Sequence, residues 1–177
     1  MDEFWIFGYG SLMWNPGFDY VDRQAAHLFG FRRSLCVRSW VHRGTEQHPG
    51  LVLGLDRGGS CRGMAFRVVP EKWDAVVDYL RERELVTHVY KERTLGCALG
   101  DGRRVRALVY VIDRAHQQYA GALSVKEAAE TVRSASGKSG PNIDYVVNTL
   151  QHLREMGITD HWLEDVGRTA GQLRPAD

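Results

Sequence analysis

Two stretches of this sequence hold groups whose types and spacing could do chemistry. In the first, Phe7-Gly8-Tyr9-Gly10-Ser11-Leu12-Met13-Trp14, an apolar run meets two glycines one residue apart, then a serine, then apolar residues again. Glycine permits backbone angles closed to other residues and lets a ligand come close to the main chain. A run such as 8–12 can turn several N–H groups towards one point and make a concave anion site. A carboxylate or phosphate there takes charge-assisted hydrogen bonds without a lysine, and Ser11 adds a hydroxyl. A tight turn between strands, with no ligand, fits the spacing equally well.

The second stretch reads as a helix. Pro70 suits a first helical position and Glu71 the first turn. Trp73, Val76, Val77 and Leu80 then fall at i, i+3, i+4 and i+7, one apolar stripe. At roughly 100° per residue, Glu84 points within about 40° of Leu80, on the apolar side, while Glu82 points into solvent. A carboxylate on a buried stripe is costly unless paired or functional, and burial raises its pKa towards neutrality. Such a glutamate can take and return a proton near neutral pH. If the helix instead stops near Arg83, Glu84 is an exposed cap or ion-pair partner.

The elements that must position these groups are legible in outline. Strands are expected over 4–9, 27–41, 51–55, 61–69, 89–99 and 105–112, with DRGGS and GDGRR as two hairpin connections. Ser124 and Glu127 form a capping box for a helix that stops by Gly137. Asn142 can cap the next helix, which carries Val146, Leu150 and Leu153 and ends at Gly157, and a short final helix starts at Thr159 or Asp160. Strands first and helices later predict an α+β fold: a curled, mostly antiparallel, barrel-like sheet with packed helices. The expectation is one domain over 1–177.

Composition excludes several function classes. Of 177 residues, 44% are hydrophobic and 25% charged, an ordinary globular balance. A net charge of +1 argues against a nucleic-acid partner, so Arg32, Arg33, Arg103, Arg104 and Arg106 read as solvated strand and turn positions. No apolar run approaches the roughly 20 residues of a membrane span. Asp2 and Glu3 stand where a secretory leader is basic, so a cytoplasmic setting is expected. Cys36, Cys61 and Cys97, widely spaced, read as reduced and buried thiols. His42, Glu46 and His48 sit in the loop-like VHRGTEQHPG and read as exposed loop residues; no metal is expected. SGKSG ends like a phosphate-binding loop, but Val132 stands where that motif needs its first glycine.

Taken together, these residues resemble the ChaC-type γ-glutamylcyclotransferases, which act on glutathione. FGYGSLMW is similar to the family's opening signature, and Leu12 directly after Ser11, with Trp14 close behind, favours the ChaC branch of the superfamily. Arg32-Arg33 followed by His42-Arg43-Gly44 resembles its second strand and following loop. Tyr79-Leu80-x-x-Arg83-Glu84 resembles the end of its catalytic helix, and Ser139-Gly140-Pro141-Asn142 with Tyr145 resembles its S-G-x-N-x-x-Y stretch. The chain departs from the family after Glu84, where LVTHVY replaces a glycine-rich turn and tyrosine, leaving Tyr90 without a fixed counterpart.

The resemblance implies the γ-glutamylcyclotransferase-like fold, glutathione as substrate, and no cofactor. It implies Glu84 as the general acid/base. It assigns Ile6, Phe7, Gly8, Tyr9, Gly10, Ser11 and Leu12 to the binding of the γ-glutamyl end, Tyr145 to a substrate contact and Arg43 to the glycine carboxylate. Two rivals share the motifs: a cyclotransferase for other γ-glutamyl amino acids or amines, and a non-catalytic protein that binds γ-glutamyl ligands. Oligomeric state is not legible.

Overall fold

Five strands, of which the first (Phe4–Gly8) and the last (Arg104–Ile112) are buried at successive positions, close into a barrel in this computed structural model, which describes residues 3–85 and 88–172. Asp2, and Val86 and Thr87 of the LVTHVY departure, lie outside the described residues. The strands are β1 (Phe4–Gly8), β2 (Asp22–Ser39), β3 (Gly50–Val68), β4 (Tyr90–Leu99) and β5 (Arg104–Ile112), in the order β1-β3-β2-β4-β5. β1 runs antiparallel to β3, with Phe4 opposite Val68 and Gly8 opposite Met64. It runs parallel to β5, with Trp5 opposite Ala107. β4 is antiparallel to both β2 and β5. The expected α+β class and mostly antiparallel, barrel-like sheet are therefore the observed ones. Among the described residues, closure leaves the barrel itself without an edge strand.

The chain packs as two compact units, one of Met1–Arg33 with Leu55–His116, the other of Ser34–Gly54 with Gln117–Asp177. In the first, helix α1 (Trp73–Glu84) follows a 3₁₀ turn at Pro70–Lys72. Its Val76, Val77 and Leu80 pack on Ile6, Val68, Leu108 and Tyr110 of the sheet, and Leu12 joins the same cluster. The expected stripe is thus the buried face. In the second unit, α2 (Val125–Ser134) starts with the expected capping box: Ser124 Oγ accepts from Glu127 N–H, and the Glu127 carboxylate accepts from Ser124 N–H. A short hairpin, β6 (Ser136–Gly137) and β7 (Gly140–Pro141), leads into α3 (Asn142–Glu155). Then α4 (His161–Gln172) packs on α2 and α3. Gly167 admits that approach, since a Cβ there would lie 2.9 Å from Leu150 Cδ1.

Four expectations need correction. DRGGS is no hairpin: β3 runs through it without reversing, because Gly58 and Gly59 take φ of +98° and +67° inside the strand and bend it. β2 begins at Asp22, earlier than expected. The last helix has 12 residues and is not short; Asp160 Oδ1 caps it by accepting from Leu163 N–H. Asn142 does not cap α3. It lies inside the helix, fully buried, where Oδ1 accepts from Leu51 N–H and Nδ2 donates to Leu51 O, each at 2.8 Å. A local capping rule cannot foresee a partner 91 residues away.

Candidate active site

β1 carries the glycine run to its place. Ile6 and Phe7 are buried in the strand, 0% and 1% exposed, so they hold the run rather than present themselves to a ligand. After Gly8 the chain makes one 3₁₀ turn, Ser11–Met13, with Met13 N–H donating to Gly10 O at 2.9 Å and Asn15 N–H to Ser11 O at 2.8 Å. Leu12 and Met13 sink into the core while Ser11 stays exposed. The amides that open the turn, on Gly10, Ser11 and Leu12, meet no acceptor among the described residues. They lie in the stretch from which the sequence leads one to expect an anion cradle.

The glycines reach this arrangement by a route the sequence did not suggest. Neither Gly8 nor Gly10 has a positive φ. For Gly8 the use is close approach: a Cβ there would lie 3.0 Å from Leu12 Cβ. Gly63, unremarked in the sequence, matters more, since its Cβ would sit 2.3 Å from Gly8 O.

Arg33 corrects a further expectation. It is not solvated but 6% exposed, and it donates from Nε to Tyr9 O and from Nη2 to Arg62 O, both at 2.6 Å. A trans peptide points its C=O and following N–H in opposite directions. Pinning Tyr9 O therefore aims Gly10 N–H away from Arg33. Charge alone could not reveal this; a basic residue among the buried positions of β2 was the available hint.

Glu84 is the last residue of α1, one turn beyond the fully buried Leu80. Its side chain is 18% exposed, and Glu82 is exposed as expected. Burial raises the Glu84 pKa above the ordinary carboxylate value, and the Arg83 guanidinium, with Nε 3.5 Å from Oε1, pulls it partway back. The same guanidinium donates from Nη2 to Ser11 Oγ at 2.9 Å and from Nη1 to Asn15 O at 2.7 Å. One planar group thus spans the interval between the carboxylate and the turn.

Arg43 and Tyr145 belong to the second unit and meet there. The Arg43 guanidinium carbon stands 5.8 Å from the Tyr145 ring centroid, and Nη1 donates to Ser139 O and Pro141 O. The Tyr145 hydroxyl accepts from Leu53 N–H at 3.0 Å. His42 and His48 each pair with a serine, and the described residues contain no cluster of three or more metal-ligating side chains. All three cysteines are buried thiols, with Cys97 pushed up to about 11 by burial, so none is a poised nucleophile. Among the described residues no helix is long and apolar enough to cross a membrane.

Comparison with known proteins bears on this geometry. The family model described as ChaC-like protein matches residues 4–172. A glutathione-specific gamma-glutamylcyclotransferase of Escherichia coli (strain K12) is 36% identical over 162 residues, covering 92% of this chain and 70% of that protein. Glutathione-specific gamma-glutamylcyclotransferase 1 of Mus musculus is 32% identical over 177 residues, covering 97% and 79%. The crystal structure of a yeast γ-glutamyl cyclotransferase specific to glutathione superposes with a TM-score of 0.83 at 24% identity, covering 97% of this chain and 99% of that one, which speaks to the fold.

Proposed function

The chain belongs to the ChaC-like family, and on that premise we propose that it is a glutathione-specific γ-glutamylcyclotransferase. In this reading it is a carbon–nitrogen lyase that converts glutathione to 5-oxoproline and cysteinylglycine in the cytoplasm. The substrate carries its own nucleophile. Its α-amine attacks the γ-amide carbonyl carbon, a five-membered lactam closes, and the amide C–N bond to cysteine breaks without water. Intramolecular attack of this kind reaches effective molarities on the order of 10⁵ to 10⁸ M once the chain is held bent.

The protein then has three tasks. The amides of Gly10, Ser11 and Leu12 grip the substrate α-carboxylate and shield the developing oxyanion. Glu84 takes a proton from the substrate ammonium, which cannot attack in that form, and returns one to the departing nitrogen. Burial raises its proton affinity above that of an ordinary carboxylate, the direction an acid/base at this position needs. Arg43 and Tyr145 make their hydrogen bonds within the second unit, and no step of this reaction is routed through them. The observation that carries the reading is a half-buried carboxylate one guanidinium away from a turn with three open donors among the described residues.

The test is incubation with glutathione in ¹⁸O-water. Equimolar 5-oxoproline and Cys-Gly, both unlabelled, are expected. Turnover of γ-Glu-Ala but not glutathione would reassign the substrate, and no 5-oxoproline from any γ-glutamyl compound would end the enzyme assignment.

A further inference from the structure

In the sequence Arg83 has a place in the Tyr79-Leu80-x-x-Arg83-Glu84 stretch but no role of its own, yet its guanidinium is heavily engaged around the turn. Nη2 donates to Ser11 Oγ at 2.9 Å. Nη1 faces Asn15 O at 2.7 Å, Pro16 O at 3.1 Å and the Tyr79 hydroxyl at 3.1 Å. Nε lies 3.5 Å from Glu84 Oε1. Five acceptors in divergent directions suit a rigid planar fork with five N–H donors and do not suit a lysine ammonium. The chain beyond the turn is shaped to meet it: Gly17 has φ +74°, and a Cβ there would lie 2.1 Å from the Tyr79 hydroxyl.

We propose that Arg83 is a positioning residue of this site: it locks the 11–16 loop to the end of α1 and sets the charge field in which Glu84 gains and loses its proton. This rests on the cyclotransferase reading for its catalytic consequence but not for its physical one. The groups facing Glu84 support it. On α1 the contacting cation is Arg83. From β5 comes Tyr110, a neutral phenol whose pKa is raised mainly by burial and whose hydroxyl donates to Glu92 of β4. Glu92 is itself neutralised by a two-point pairing with Arg81. Since Arg81 is committed to Glu92, Arg83 is, among the described residues, the cation that acts on Glu84.

The test compares Arg83→Met, which removes charge and fork, with Arg83→Lys, which keeps charge and loses the fork. The Glu84 carboxyl is titrated by ¹³C NMR, with Glu84→Gln identifying its signal, and the pH profile of kcat/KM is recorded alongside. In Arg83→Met the Glu84 midpoint and the acidic limb are expected to rise together by about one pH unit. In Arg83→Lys the midpoint is expected to stay near wild type while KM rises and kcat falls, together roughly tenfold or more in kcat/KM. A purely structural role would lower activity without moving the midpoint. An unmoved midpoint in Arg83→Met, or wild-type kinetics in Arg83→Lys, would overturn the proposal. Should Arg83→Met fail to fold, Arg83→Lys carries the test through its kinetics. The NMR arm needs no turnover, so a wild type that released no 5-oxoproline would end the functional reading and leave this one measurable.

Discussion

The first unit, with residues 8–12 and Glu84, and the second, with Arg43 and Tyr145, use the same kinds of residue to different ends. Each brings glycines, an arginine and a hydroxyl close together. In the second unit the polar groups close on one another. A Cβ on Gly44 would lie 2.1 Å from Gly50 N, and one on Gly137 2.5 Å from Val41 O, so backbone packs on backbone. Asn142 satisfies both polar groups of Leu51, and Tyr145 takes Leu53 N–H. In the first unit the arginines hold the frame, Arg33 at Tyr9 O and Arg83 at Ser11 and beside Glu84, while the 10–12 amides meet no acceptor among the described residues. The lesson is that a motif's residue types do not reveal whether its hydrogen bonds are completed internally or kept for a ligand.

That contrast can be broken by substitution. The largest effect is expected from Gly63→Ala. Its Cβ must displace Gly8 O or Phe7, shifting the strand end, and a shift near 1 Å at a catalytic cradle costs on the order of 10²-fold in kcat/KM. Steady-state kinetics with glutathione measure it, and wild-type kinetics would mean the cradle tolerates displacement. In the second unit the main loss should be stability. Asn142→Ala leaves Leu51 N–H and C=O buried and unpaired, about 1–3 kcal/mol for each group, and Tyr145→Phe removes one partner at about 1 kcal/mol. Denaturant unfolding gives these values. A Tyr145→Phe protein of unchanged stability but raised KM would move that hydroxyl from scaffold to substrate.

The smallest effect is thermal. Because the folded Glu84 pKa is raised, the stability linked to its neutral form is fully present below the unfolded pKa and is lost as pH rises through the folded value. Glutamine has no such loss. Glu84→Gln should therefore match wild-type Tm near about pH 4 and exceed it at about pH 8. An unfolding-temperature difference that does not widen with pH would count against a desolvated carboxylate.

How much of this was readable depends on sequence distance. The α1 stripe, the Ser124 capping box and the hairpin at Gly102 are set within a few residues, and each stands as expected. So does the inward Glu84, whose direction follows from helical period alone. Arg33, Asn142 and Gly63 were misread or passed over because their partners lie 24, 91 and 55 residues away. DRGGS shows a subtler limit: paired positive-φ glycines bend a strand as readily as they reverse one.

The central claim is that one desolvated carboxylate moves the proton while the turn amides hold the substrate. Glu84→Gln tests it most directly, with glutathione affinity measured by calorimetry and 5-oxoproline release measured on the same preparation. The expected result is binding close to wild type with turnover reduced by at least about 10²-fold. Turnover at the wild-type rate would contradict the claim, and so would loss of binding in step with turnover.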